Sequence, residues 1–401
     1  MYVDRGDAEM IFTRLASRNL ILELVMHCYV RFLPLLIPSI LIPVAQSAVG
    51  LDVTTLEINA SAPQLDLPGV DGKTYRLEDF ADAKALVVIF TCNHCPTAQA
   101  YEQRIIQLHA DYRDKGVSLV AISPNDPLAV RLDELGYTDL GDSFEDMKRH
   151  AKRRGFKFPY LYDGDTQRAS KAFGVLATPH VFIFDRERRL RYNGRIDEAD
   201  VKPPKSHEAR NAIDDLLAGR VVGVPKTRVF GCSTKWADKR DLARKAIEKW
   251  NAEPVELELI DAAGLHKLTA NETENFRLVN VWSTTCAPCI SELPEFVTVN
   301  RMYRGRHFEM YTLTTDPPDQ RDAALKVLRK NHVSCTNYIF HSDDRDELAE
   351  ALDPEWEGPA PYTILIAPGG DVVRRWKDEI VPEELKSEIS TRLGKTYASR
   401  K

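Results

Sequence analysis

The chain is poor in sulfur and has no blocks of like charge. Seven cysteines, six methionines and five tryptophans are spread over 401 residues. No basic run marks a nucleic-acid partner, and no acidic tail marks a disordered segment. A net charge of −6 is ordinary for a soluble protein and selects no partner. The apolar run FLPLLIPSILIPVA over 32–45 is broken by Pro34, Pro38 and Pro43. It falls short of the roughly 20 residues that a membrane span needs. It suits the h-region of a secretory signal, with Arg31 before it and Ala45-Gln46-Ser47-Ala48 supplying small residues for cleavage. Asp4, Asp7, Glu9 and Glu23 are out of place at the start of such a signal, whereas Met26 would open an ordinary one. Residues 1–48 are therefore expected to be a signal peptide or N-terminal anchor with its true start at Met26. The remainder is expected on the periplasmic or extracellular side, where disulfides persist.

With so few cysteines, their placement is informative. Cys92-Asn93-His94-Cys95 follows the apolar run Ala85–Phe90, and Cys286-Ala287-Pro288-Cys289 follows Leu278–Trp282. Each pair precedes a segment that reads as a helix. Later in each half a proline leads into an apolar strand, at Thr178-Pro179-His180 and Ala360-Pro361-Tyr362. The length accommodates two domains, each with its own core. The text divides into a first domain over 56–220, a connector with Cys232 over 221–252, and a second domain over 253–396.

Hydrophobic periodicity places the elements. In the first half it gives a hairpin from Ala62, strands at Ala85–Phe90 and Val117–Ile122, and helices at Ala98–Asp114, Phe144–Arg154 and Ala169–Phe173. A terminal hairpin at Val181–Phe184 and Leu190–Tyr192 is followed by a helix at Ala209–Leu217. The connector carries a helix over Lys239–Trp250. The second half gives a hairpin of Val255–Ile260 with His266–Leu268, and strands at Leu278–Trp282 and Phe308–Thr312. It adds helices at Ile290–Tyr303 and Arg321–Lys330, a hairpin of Thr363–Ile366 with Val372–Trp376, and a last helix at Pro382–Arg392. A sheet flanked by helices in each half is a three-layer α/β sandwich.

A cysteine placed just ahead of a helix meets unpaired backbone N–H groups and the positive end of the dipole. Both favour the thiolate, bringing its pKa from about 8.5 into a range of about 3.5–7.5. The second cysteine lies one turn along, close enough for a disulfide. Cys92 and Cys286 are expected to attack a substrate disulfide, and Cys95 and Cys289 to resolve the mixed intermediate. A cis bond before Pro179 or Pro361 would present the preceding residue's backbone to a substrate chain.

The segment VNVWSTTCAPCISELPEF resembles the TlpA/ResA branch of thioredoxin-like thiol–disulfide oxidoreductases, loosely over 253–396. That resemblance implies roles for Trp282 as the strand tryptophan, Pro294 as the helix-kinking proline and Glu292 as proton handler. Asn280 stands where thioredoxin proper has a buried aspartate. The first half, with TCNHCP, resembles redoxins of the peroxiredoxin/TlpA-like group. His94 sits between its cysteines as a histidine does in the oxidant DsbA, where it would favour a thiolate. Gly231-Cys232-Ser233-Thr234-Lys235-Trp236 resembles a tail of the same group; Cys232 reads as a third redox thiol or as a buried inert one. Cys335 reads as a core or free thiol, and Cys28 lies within the signal.

The expected protein is thus α/β, two tandem thioredoxin-like three-layer α/β/α sandwiches with mixed central sheets. Its expected activity is that of an exported thiol–disulfide oxidoreductase, a reductase of protein disulfides. Cys92, Cys95, Cys286, Cys289, Pro179, Pro361, Glu292 and His94 form its sites. Neither an organic cofactor nor a metal is required, because the sulfurs carry two electrons; a membrane-bound electron donor is the expected second partner. Two alternatives remain. Copper delivery of the Sco type would use Cys92, Cys95 and His94 or His180 for a soft cuprous ion, although the Sco pair is spaced one residue wider. Thiol peroxidase activity in the first half would need a proline ahead of Cys92, and Val88-Ile89-Phe90-Thr91 offers none.

Overall fold

The computed structural model describes residues 53–199 and 201–395. The expected signal or anchor over 1–48, the start at Met26 and Cys28 all lie outside the described residues.

The first half opens with a hairpin of β1 (Asp66–Pro68) and β2 (Thr74–Arg76), then β3 (Ala85–Phe90), α1 (Pro96–Tyr112) and β4 (Val117–Ser123). Next come α2 (Phe144–Arg154), β5 (Tyr160–Tyr162), α3 (Arg168–Phe173) and the two-residue β6 (Ala177–Thr178). A hairpin of β7 (His180–Phe184) and β8 (Leu190–Gly194), α4 (Glu208–Leu217) and β9 (Cys232–Ser233) complete the half. Its five-stranded sheet has the order β5-β4-β3-β7-β8, parallel from β5 to β3 and antiparallel beyond. All six residues of β3 are buried, as expected of a central strand covered on both faces. Val87 and Ile89 meet Tyr101, Ile105, Leu108 and Ile213 of α1 and α4 on one face. Val88 and Phe90 meet Phe173 of α3 and Trp236 on the other.

A bridging helix, α5 (Arg240–Asn251), leads to the second half. There follow β10 (Glu258–Ile260), α6 (Ala262–Ala270), β11 (Phe276–Trp282), α7 (Ala287–Tyr303), β12 (Phe308–Thr314) and α8 (Arg321–Lys330). Then come β13 (Thr336–Phe340), α9 (Arg345–Leu352), β14 (Tyr362–Ile366), β15 (Val372–Trp376) and α10 (Pro382–Leu393). The six-stranded sheet runs β10-β13-β12-β11-β14-β15 and repeats the mixed order of the first, with β10 added at its parallel edge. Val279 and Val281 face α6 and α9, while Leu278 faces α7 and α10. The molecule is therefore two three-layer α/β/α sandwiches with mixed sheets, the architecture of tandem thioredoxin-like units.

One expectation is corrected. The hairpin expected from Val255–Ile260 and His266–Leu268 is a strand followed by a helix. Asp261 caps that helix, its carboxylate accepting from Gly264 N at 2.8 Å, and Leu265 and Leu268 share the buried face at helical spacing. The connector over 221–252 packs closely on the first half. Val222 and Phe230 pack into one core of the first half and Trp236 into the other, while β9 pairs antiparallel with β6. Asn125 and Gln167 also bind the backbone of 235 and 237.

The halves touch. Tyr303 donates its hydroxyl to Thr138 O at 2.7 Å, and the Arg306 guanidinium donates to Gly136 O at 2.7 Å while lying over the Tyr137 ring. The loop so held by α7 leads directly into Asp142, beside the first cysteine pair.

Trp236→Ala is expected to destabilise the first half by about 3–5 kcal/mol in denaturant unfolding. Val221→Ala, at a residue 92% exposed, is expected to change it by less than about 0.5 kcal/mol. Equal small effects would show that the tail is not part of the core.

Candidate active site

The β3 strand delivers the chain to Cys92, but α1 does not begin there. It begins at Pro96, with Cys95 as its N-cap: Cys95 Sγ accepts from Ala98 N at 3.4 Å. Proline suits this first helical position, where an N–H would find no partner in the helix. The expected placement of Cys92 at the helix mouth is therefore corrected. A bend at Asn93 and His94 separates it from the helix, and the dipole acts on Cys95.

Both thiols are free and buried, Cys92 5% and Cys95 0% exposed. Cys92 Sγ lies 3.2 Å from Thr178 Oγ1, and Cys95 Sγ lies 3.5 Å from the Thr178 carbonyl oxygen. Thr178 precedes a cis peptide bond to Pro179. Burial, with Cys95 and the Asp142 carboxylate nearby, holds the Cys92 thiol well above its ordinary pKa. Burial opposes ionisation of Cys95 too. There it is outweighed by hydrogen bonds from Cys232, Cys92 and the Ala98 N–H and by the His94 charge, which leave that thiol well below its usual range. In the first centre the cap geometry favours ionisation of Cys95 over Cys92.

His94 is buried and its Nδ1 lies 2.5 Å from Asp142 Oδ2. Burial disfavours the charged ring, but the Asp142 carboxylate outweighs it and raises the His94 pKa. For Asp142 the order is the same: burial raises its pKa, while His94, Asn125 and the Asn93 N–H bring it below the ordinary carboxylate value. Asp142 also accepts from Asn93 N at 2.9 Å, His94 N at 3.2 Å and Asn125 Nδ2 at 2.7 Å. One buried carboxylate thus fixes the backbone between the two cysteines. The sequence pointed to the backbone of Thr178 through Pro179 but not to Asp142, which is far from the cysteines along the chain and carries no local motif.

The second centre follows the expected arrangement. Cys286 caps α7, its Sγ accepting from Cys289 N at 3.3 Å, and the two sulfurs form a disulfide. Cys286 is half-buried and Cys289 is 1% exposed, so one sulfur faces outward. Ala360-Pro361 is cis, and Ala360 packs in the same cluster as Cys286 and Cys289. Glu292, one turn beyond Cys289, is 8% exposed and accepts from Ile380 N, while its other oxygen has no partner. Burial pushes its pKa up to about 7, against the Ile380 hydrogen bond, with Glu379 adding to the rise. Trp282 is fully buried behind the site, and Pro294 lies inside α7. Asn280 is buried and donates to Thr363 Oγ1 at 3.1 Å.

Cys232 joins the first centre, packed against Cys92 and Cys95. Cys335 does not join either pair: it is free, and burial pushes its thiol up to about 12. Cys92, His94 and Asp142 bring one donor atom each within 4.8 Å of one another. They do not fit a cation well, because Asp142 is already filled by four N–H donors. His180 is no better placed as a copper ligand. Its Nε2 lies 2.7 Å from Asn193 Oδ1, its Nδ1 accepts from Leu176 N at 3.4 Å, and burial lowers its pKa to about 4.

Residues 58–193 match the AhpC/TSA family. ResA, a thiol-disulfide oxidoreductase of Geobacillus thermodenitrificans, is 22% identical over 151 residues, 37% of this chain and 76% of that protein. Among solved structures, a hypothetical protein of Sinorhizobium meliloti is 33% identical, covering 46% of this chain and 97% of the other, with a TM-score of 0.41. An uncharacterized conserved protein of Geobacillus kaustophilus is 37% identical over 46% of this chain and 94% of its own, also at 0.41.

The His94–Asp142 pair makes a test. The raised His94 pKa contributes stability that is full below about 6.5 and is lost as pH rises through the folded-state value. The lowered Asp142 pKa contributes stability above its ordinary value that is lost in acid. Asp142→Asn is expected to lower the His94 pKa, read by ring NMR, because burial is then opposed only by the Cys95 charge. It is also expected to cost about 3–5 kcal/mol. An unmoved His94 titration would refute the pairing.

Proposed function

We propose, from the premise that this chain is a thioredoxin-like redoxin whose first half matches the AhpC/TSA family, that it is a thiol–disulfide oxidoreductase with two dithiol centres. The observation that carries the reading is the second centre. A disulfide sits at the mouth of α7, one sulfur half-buried and the other sealed, beside a cis-proline turn and over a buried carboxylate.

In its reduced form the helix N-terminus stabilises a Cys286 thiolate. That thiolate attacks a protein disulfide: a Cys286–substrate bond forms, and the substrate's second sulfur leaves with the electron pair. Cys289 must then lose its proton to resolve the mixed disulfide. Glu292, with a pKa of about 7, is matched to accept it near neutral pH. Cys289 attacks Cys286 Sγ, the internal disulfide closes, and the substrate leaves as a dithiol. The protein is thereby oxidised by two electrons and the substrate reduced by two. An electron donor must restore the dithiol, and we assign that part to a membrane-bound thiol–disulfide partner.

Cys92 and Cys95 are read as a second dithiol that cycles between the same two redox states, with ionisation favoured at Cys95. A peroxidase role fits poorly, since burial holds Cys92 well above its ordinary pKa and no proline precedes it. The apolar segment over 32–45 supports export, which places both centres in an oxidising compartment. Among the described residues, no helix is long and apolar enough to cross a membrane.

Cys286→Ser is expected to abolish reduction of insulin disulfides at the second centre, and the Cys95→Ser/Cys286→Ser double variant to abolish it altogether. Turnover persisting in the double variant would defeat the assignment. Glu292→Gln is expected to slow the second centre on the order of 10²-fold at neutral pH and to remove the inflection near pH 7 from its rate profile. The raised Glu292 pKa also means that the folded state holds this proton more tightly than the unfolded chain. Stability should therefore fall as pH rises from about 4.5 to 7, and the Gln variant should flatten that fall.

A further inference from the structure

A cis X-Pro turn in this fold offers the backbone of the preceding residue to an incoming chain, which pairs with it as an added strand. In the first centre that edge is already taken. Strand β9 pairs antiparallel with β6, with Cys232 directly opposite Thr178 and Ser233 opposite Ala177. Gly231 permits the approach: its φ is +146°, and a Cβ there would meet the Thr178 carbonyl oxygen at 2.1 Å. The tail beyond is fastened. Lys235 N donates to Asn125 Oδ1 at 2.9 Å, the Lys235 ammonium pairs with Glu134, and Trp236 is buried in the core. The chain's own segment lies where a substrate strand would lie, and it carries a cysteine.

The burial pattern fits this placement. Cys92 and Cys95 are sealed, whereas Cys232, packed on both, is only half-buried. In the second centre the outward sulfur belongs to the pair itself, at Cys286; among the described residues of the first centre it belongs to the tail.

We infer that Cys232 is a built-in third redox sulfur of the first centre, which exchanges into its disulfide and carries it to the surface. The inference rests on the reading of Cys92 and Cys95 as a dithiol centre. Starting from a Cys92–Cys95 disulfide, Cys232 gives up its proton and attacks Cys95 Sγ. The Cys95–Cys232 bond forms, the Cys92–Cys95 bond breaks, and Cys92 leaves with the electron pair and takes up a proton. No net oxidation occurs. An external dithiol, such as a reduced protein Cys-x-x-Cys pair, then attacks the accessible Cys232 sulfur. Cys95 leaves as the thiolate, the better leaving group of the two because its pKa is the lower. The dithiol's second sulfur closes its own disulfide and frees Cys232. Two electrons have entered the first centre through a sulfur outside its pair.

The test is disulfide mapping of the full chain after oxidation with oxidised glutathione. Wild type is expected to show Cys95 bonded to Cys92 or to Cys232, and Cys92→Ser to show the Cys95–Cys232 bond in near-stoichiometric yield. Wild type closing Cys92–Cys95 while Cys92→Ser leaves Cys95 and Cys232 unlinked would overturn the third-sulfur role and leave the dithiol reading intact. Wild type closing no bond on Cys95 would remove both. As a second measurement, Cys232→Ser is expected to slow reduction of the Cys92–Cys95 disulfide by dithiothreitol at least 10-fold. An unchanged rate would overturn the inference independently of the mapping.

Discussion

The chemistry of this chain depends on which sulfur caps which helix. A helix N-terminus has backbone N–H groups with no partner in the helix, and a thiolate there both satisfies one of them and answers the dipole. In the second half the cap is the first cysteine of the pair, Cys286; in the first half it is the second, Cys95. This three-residue offset exchanges the roles of the outer and inner positions. It puts the first centre's thiolate in the interior and leaves Cys92 in a loop, with its thiol raised.

An interior thiolate needs a charge partner and a route out. The partner is the ring of His94, kept charged by Asp142, whose carboxylate also receives the backbone N–H groups of Asn93 and His94. A buried pair of this kind is costly to assemble and very costly to break, so it fixes the loop more than it adds net stability. The route out is the tail that returns Cys232 to the cis-proline edge. The Asp142 loop is in turn held by the other half, through Tyr303 of α7 on Thr138 and Arg306 just past α7 on Gly136. The backbone supporting one centre thus rests on the helix that carries the other.

Much of the fold could be read from the residues because local and global preferences agree. Ala85–Phe90, Phe144–Arg154, Arg321–Lys330 and Val372–Trp376 lie where periodicity places them. The 255–268 region was misread because Asp261 capping and the Leu265–Leu268 spacing are a weak signal over so short a helix, and the β10 strand is only three residues long. The cis bonds at Pro179 and Pro361 were legible from their position after the paired cysteines. Asp142 and the pairing of the tail onto β6 were not, for their importance lies in contacts across 48 to 110 residues of chain. The cysteine at the helix mouth was misassigned in the first half, Cys92 for Cys95, since proline is equally at home at Pro96 and Pro288 and nothing local tells the two starts apart.

The most direct test follows the ionisation of each sulfur, using Cβ-labelled cysteine and ¹³C NMR across pH in the reduced full chain. The account predicts that Cys95 titrates below the ordinary thiol value of about 8.5 and Cys92 above it. Finding Cys92 as the more acidic sulfur of the first centre would contradict it.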